Sequence, residues 1–545
     1  MDRRQFLRAT KIKGTQQKAN PLQVRGLESG LNAYSGPWSA NEVAHLLKRT
    51  MFGATKTDID YFLGMSTAEA VDELLNNIPS VTPPLRDYGL IETETGAYDD
   101  LGVAIGQTWI NDLNKVSNEE AKGRINRLRI ESIRKWWAGL IIHQNRSINE
   151  KMVLFWHHHF SVQREEVDNA TTLYRHHALL RTNAMGNVRE LTKAVTIDPA
   201  MLAHLNGFLN SKLAPDENYA RELQELFTVG RGNDSLYNEE DVRAAAKVLT
   251  GWRINADTLT SSLEENMHDT SNKTFSSFYN NTTIAGSSNG TQEVDQLINM
   301  IFSTEECARF ICRKIYKWFV YYDIDTDTEN NVIIPLAQIF RNNNFSITPV
   351  LEALLKSDHF FDPSNQACFI KAPYDFIAGT LREFSVSFPA MTDYVNAYPL
   401  FYSLYGKASD MQQNLLQPPD VAGWPAYFQD PMNYELWINS NSLPKRAEFT
   451  DTLIEQNMLN VRAFANYSSN AADPDQLLND ITLLLLRYPL SAASKTYLKN
   501  RFLINNSGDD SIWTNAWNSN NNAVITPALK ELFKFIMNLP EFHLC

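Results

Sequence analysis

Apolar residues along this chain recur at intervals of three and four, the period of helices that bury one face. The start and stop signals agree. Ser39-Ala-Asn-Glu42, Ser66-Thr-Ala-Glu69 and Ser147-Ile-Asn-Glu150 read as capping boxes, in which a hydroxyl and a carboxylate satisfy orphan N–H groups reciprocally. Asp198-Pro199, Thr348-Pro349 and Asp473-Pro474 each put a cap residue before a proline at the first helical position. Gly230 and Gly251 follow "YARELQELFTV" and "EEDVRAAAKVLT", where a C-cap residue belongs. A long amphipathic stretch runs from about Glu119 to His143, and the whole chain predicts roughly twenty helices.

Strict alternation is missing, so the predicted fold class is all-α: a large multi-helix globular body with few or no strands. Short strands fit only in "NNVII" (330–334) or near Asn281–Ala285. The Asn/Ser/Thr-rich stretch from about Asn255 to Gln292 breaks the period and predicts a long polar loop insertion. A second irregular stretch, Leu416 to Asn433, is marked by Pro418-Pro419, Gly423-Trp424-Pro425 and Pro431. These breaks suggest an N-terminal arm (1–37), a main helical body (38–445) and a C-terminal helical subdomain (446–545).

Composition narrows the class. The 545 residues are 43% hydrophobic and 21% charged, ordinary for a globular protein with a sizeable core. The net charge of −13 and the lack of a basic patch exclude nucleic acid as the expected partner. No apolar window of the length a transmembrane helix needs is present. The four cysteines make no disulfide framework. Cys307 and Cys312 diverge by about 140° on a helix and predict buried free thiols. The first residues, with Arg3-Arg4 and Phe6-Leu7, open like a twin-arginine export signal. Residues 8–30 then carry Arg8, Lys11, Lys13, Lys18 and Arg25, with none of the apolar region of about 7–15 residues that such a signal requires. Taken alone, this predicts a retained arm and a cytoplasmic protein.

Four stretches carry candidate chemistry. In "KMVLFWHHHFSV", His157 and His159 are candidate metal ligands, although about 200° of helical rotation separates them. Histidines in a core offer the alternative. In "APDENYARELQELFTVG", Leu223, Leu226 and Phe227 form a buried stripe. Glu222 and Glu225, three apart, are neighbours suited to acid–base work or a hard cation, with Arg221 beside them. A solvated charged face offers the alternative. In "NMHDTSNKTF", His268, Asp269 and Lys273 lie on the polar loop, a usual place for functional groups. In "QPPDVAGWP", Asp420 and Trp424, with Trp437 further on, fit a cleft whose aromatic faces stack on sugar rings, or else a rigid turn anchored by buried tryptophans. There is no glycine-rich phosphate loop, GxSxG elbow or HExxH motif.

Taken together and in order, "HLLKRTMFGAT", "MVLFWHHHF", "AVTIDPAML", "APDENYARELQELFTVG", "YNEEDVRAAAKVLTGW", "HDTSNKTF" and "QPPDVAGWP" resemble the bacterial family catalogued as domain of unknown function 1800 (DUF1800). The resemblance runs from about Trp38 to the closing "LPEFHLC". It implies a largely helical, exported protein, often made alongside a sulfatase-like protein of the alkaline-phosphatase-related group. It also implies that Arg3-Arg4 is a signal remnant. His157, His159, Asn218, Arg221, Glu222, Glu225, His268, Asp269, Lys273, Asp420, Gly423 and Trp424 match recurrent family positions. The loop after the histidine–aspartate pair and the stretch after Pro425 depart from the family pattern. Two functions follow as expectations. One is a partner or assembly protein for the sulfatase-like protein. The other is a hydrolase acting on a polar, carbohydrate-like substrate, in which Glu222, Glu225, His268 and Asp269 are catalytic. There Arg221, Lys273, Asp420 and Trp424 bind substrate, and His157 and His159 hold a divalent metal ion.

Overall fold

A computed structural model of the chain describes residues 29–232, 235–424 and 436–545. The N-terminal arm up to residue 28, with Arg3-Arg4, lies outside them, as does most of the stretch that follows Trp424.

The architecture is predominantly α, as the periodicity predicts. Two of the three capping boxes form: Ser39 with Glu42 and Ser66 with Glu69. The third does not. Its helix starts at Asn149 without a side-chain cap, and Glu150 turns away to take a bidentate pair from Arg181 at 2.5 and 2.8 Å. Charge pairing with a second helix outcompetes the local cap. Asp198 and Asp473 cap as expected. Thr348 instead donates its hydroxyl to the Met185 carbonyl at 2.8 Å. Gly230 and Gly251 end their helices at φ +86° and +87°, a region open to glycine at little cost.

Among the described residues the strands make three two-stranded antiparallel hairpins. Thr283–Ile284, paired with Lys273–Thr274, lies where a strand was expected. "NNVII" is not a strand. Glu329–Ile333 is a π-helical turn continuing into Ile334–Asn342, with Val332 and Ile333 both fully buried in sequence.

One buried apolar cluster runs from Val43 to Cys545 and includes Trp109, Trp137, Trp156 and Trp513. All four cysteines are free and buried. The long helix Glu119–Ile142 and the helix Asn149–His159 contribute Trp137 and Trp156 to this core. The polar loop is tied down rather than free. Asp241 accepts from the Ser276 N–H at 2.6 Å and its hydroxyl at 2.7 Å, and Tyr279 donates to Gln224 at 2.8 Å.

Candidate functional site

The carboxylate segment starts as the α-helix Asn218–Glu222 and widens to a π-turn over Leu223–Thr228. The Val229 and Gly230 N–H groups both reach back to the Gln224 carbonyl at 2.9 Å, and the Thr228 hydroxyl caps the Leu223 carbonyl at 2.5 Å. Leu223 and Phe227 are fully buried and Leu226 nearly so, the stripe the sequence predicts. The inserted residue rotates the exposed positions relative to this stripe, and π-turns of this kind are frequent at functional sites. Burial, and then the neighbouring charges of Glu225 and Asp420, push the Glu222 carboxyl up to about 7. Glu225 forms ion pairs with Arg221 at 3.7 Å and with the exposed Arg231 at 3.6 Å, both longer than a hydrogen bond. Arg221 itself is occupied by Glu239, at 2.7 and 2.9 Å, and by Glu217 at 3.1 Å.

The three histidines diverge. His159 Nε2 donates to the Phe227 carbonyl at 3.0 Å, fastening the histidine helix to the π-turn. His157 lies edge-on to Trp137, with ring centroids 5.0 Å apart, and 5.4 Å from the Trp424 ring. Neither of its ring nitrogens has a hydrogen-bond partner. Burial first pulls His157 down to about 3 and His159 well below the ordinary imidazole value, so both are neutral. His158, which the sequence did not single out as a site residue, is the least buried of the three. Its Nδ1 accepts the Trp424 N–H at 3.0 Å, so the neutral ring carries its proton on Nε2.

That bond depends on Gly423. A Cβ there would stand 2.3 Å from His158 Nδ1 and 2.5 Å from the His158 carbonyl oxygen, at a φ of +93°. The turn is further held by the Ser161 hydroxyl on the Asp420 carbonyl at 2.9 Å, and by the Asp420 carboxylate on the Ala422 N–H at 3.0 Å. Three distant segments thus meet: the histidine helix, the π-turn and the Asp420–Trp424 turn. Beside them lies a cavity of about 360 Å³ lined by Glu225, His158, Trp424, Trp437, Lys314 and Trp318, among others. Burial and the nearby Lys317 lower the Lys314 ammonium to about 8. Lys314, Lys317 and Trp318 lie on the helix Glu305–Phe319, whose sequence reads as an ordinary amphipathic helix and gave no sign of a site.

His268, Asp269 and Lys273 belong to a different cluster. His268 Nε2 approaches Glu293 at 3.3 Å and Lys273 Nζ meets the same carboxylate at 2.5 Å, with all three side chains at most 1% exposed. His268 Nδ1 donates to the Thr250 carbonyl at 2.9 Å, and Asp269 accepts from the Ser271 N–H and hydroxyl. These bonds seat the polar loop against the helix Gly290–Ser303. The structure therefore brings together Glu222, Glu225, Asp420, Trp424, His157 and His159. It holds His268 and Lys273 in a buried network with Glu293, and leaves Asp269 half-buried at its edge, bonded to Ser271. Among the described residues no three His, Cys, Asp or Glu side chains are grouped as a metal ion would need, and His157 and His159 turn to different partners.

The fold and this convergence define a predominantly helical protein in which three motif segments meet beside a cavity. The chain belongs to the family described as protein of unknown function (DUF1800), whose model matches residues 45–544. No curated protein and no solved structure matches it.

Proposed function

We propose that the chain is an acid–base hydrolase acting on a small polar substrate bound in the 360 Å³ cavity. The observation that carries this reading is the pairing of Glu222, raised to about 7, with Glu225, whose carboxylate lines the cavity. Burial first, and then the charges of Glu225 and Asp420, keep Glu222 protonated up to near neutral pH, which puts an acid on the same short segment as the Glu225 carboxylate. On this reading Glu225 faces the substrate and takes or returns the proton of the attacking water. Glu222 holds a proton, kept there first by burial and then by repulsion from Glu225 and Asp420. His158 presents Nε2–H as a neutral donor, and Trp424 forms part of the wall.

The expected sulfatase-like partner rests on family resemblance alone, whereas the carboxylate pair gives the hydrolase reading a physical footing. The buried Lys273–Glu293–His268 network is assigned the job of holding the loop. The test is a panel of chromogenic esters, glycosides, sulfates and phosphates. Turnover by the wild type should fall by at least a hundredfold in Glu225→Gln, with the melting temperature retained. A wild type inert across the panel, or a Glu225→Gln variant with full activity, would overturn the reading.

A further inference from the structure

We propose that two copies of the chain associate through the outer face of the helix Tyr394–Asp410, packed antiparallel about a two-fold axis. This helix buries Ala397, Tyr398, Phe401, Leu404, Tyr405 and Ala408 against the body. Its outer side is not the polar face that a solvated helix shows. Val395 is 65% and Tyr402 40% exposed, Pro399 is exposed too, and Gly406 is half-buried. At about 100° per residue these four fall within an arc of about 60°. At the N-terminal end a Cβ on Gly106 would stand 2.9 Å from the Tyr394 ring, and the neighbouring Ile105 is 54% exposed. A contiguous exposed apolar stripe of this kind marks a contact surface, whereas single exposed apolar residues do not.

Spacing, glycine and charge together choose a second copy as the occupant. The stripe Val395, Pro399, Tyr402, Gly406 advances by four, three and four residues, an order that reads the same in both directions. An antiparallel copy therefore sets Val395 against Gly406 and Pro399 against Tyr402, and each contact is made twice. A two-fold contact between identical chains demands this self-complementarity. Gly406 supplies the room. A Cβ built there would meet nothing within 4 Å, so among the described residues no neighbour calls for glycine at a helix position that glycine weakens. Against a second copy, the bare backbone at Gly406 admits the Val395 side chain.

The charges at the two ends are complementary in the same arrangement. Asp393 stands just before the first turn and Lys407 lies in the last turn. The Asp393 carboxylate accepts only from the Asn396 amide, at 3.0 and 3.1 Å, and neither Asp393 nor Lys407 has an ion pair among the described residues. Antiparallel packing brings the Asp393 end of one copy alongside the Lys407 end of the other, at both ends of the contact. Tyr402 is the anchor near the middle. Its ring is already held, stacked on Tyr405 at 5.6 Å with the Lys135 ammonium 5.4 Å from its centroid, so docking costs it little rotamer freedom.

Sedimentation velocity of the full chain across the micromolar range tests this, because a contact built on one helix face is of modest size. The average mass should climb from that of the monomer to twice that value. Gly406→Leu should weaken association at least tenfold. Leucine favours the helix more than glycine does, so the loss cannot come from unfolding. Lys407→Glu should weaken association at least fivefold, and adding Asp393→Lys should recover it; Asp393 makes no cap bond that this change would remove. Orientation is read by oxidative cross-linking, since all four native cysteines are buried. A mixture of Val395→Cys and Gly406→Cys chains should cross-link, and Gly406→Cys alone should not. A monomer at every concentration, which leaves this face to solvent or to a different partner, would overturn the proposal. So would undiminished association of Gly406→Leu, or cross-linking of Gly406→Cys to itself. None of these residues lines the cavity, so either result leaves the acid–base reading to its own test.

Discussion

Replacing Lys273 by methionine should release the polar loop without touching the cavity. Lys273 and Glu293 are 0% and 1% exposed and 2.5 Å apart. Methionine preserves the apolar stem but leaves the Glu293 carboxylate buried, with only the Ser287 N–H at 2.7 Å and His268 at 3.3 Å as partners. Removing one member of a buried pair costs about 3–5 kcal/mol, because the survivor stays charged and unsolvated. At about 1.4 kcal/mol per decade, that is a hundredfold to several-thousandfold shift in the opening equilibrium. The loss should be local, because the bonds at stake seat one loop on the helix Gly290–Ser303. Hydrogen exchange followed by mass spectrometry on peptides spanning 264–289 reads it directly. Adding Glu293→Gln, which neutralises the stranded charge and keeps an acceptor for Ser287, should restore most of the protection. Less than a tenfold loss in the single variant, or no recovery in the double, would refute the reasoning.

Gly423→Ala should cost about 3 kcal/mol: roughly 1–3 for a side chain at φ +93° and about 1 for the broken Trp424–His158 bond. Thermal unfolding and near-ultraviolet dichroism of the tryptophans would register it, and an unchanged melting temperature would contradict it. Glu222 titrates from 4.5 when exposed to about 7 in the fold, so the native state binds the extra proton between those values. Stability should therefore fall as pH rises through that window and stay low above it. Calorimetric scans of Glu222→Gln should show the variant gaining on the wild type from pH 5 to pH 8; a constant gap would exclude this.

Local signals were legible wherever the competing interactions were local too. The capping boxes at Ser39 and Ser66 form because Glu42 and Glu69 have no stronger partner nearby. The same signature at Ser147 fails because Arg181, thirty-one residues away from Glu150 in sequence, offers a bidentate pair. "HDTSNK" read as a functional loop because its residue types suit chemistry. The sequence gives no sign that Glu293 waits beneath it to bury His268 and Lys273. The part of Glu305–Phe319 that lines the cavity went unread for the same reason. Its lysines fit an ordinary solvated face until the fold sets them against Arg49 and Trp424.

The sequence by itself determined the helical class, the buried stripe of Leu223, Leu226 and Phe227, the free thiols and the family. Each of these follows from periodicity, spacing or an ordered set of motifs, which are properties of neighbours along the chain. Tertiary structure alone decided which of three consecutive histidines reaches the cavity, and which carboxylate keeps a proton near neutrality. It also decided which face of Glu305–Phe319 lines the cavity. Those outcomes depend on desolvation and on charges brought together from segments far apart in sequence, and no local pattern encodes either.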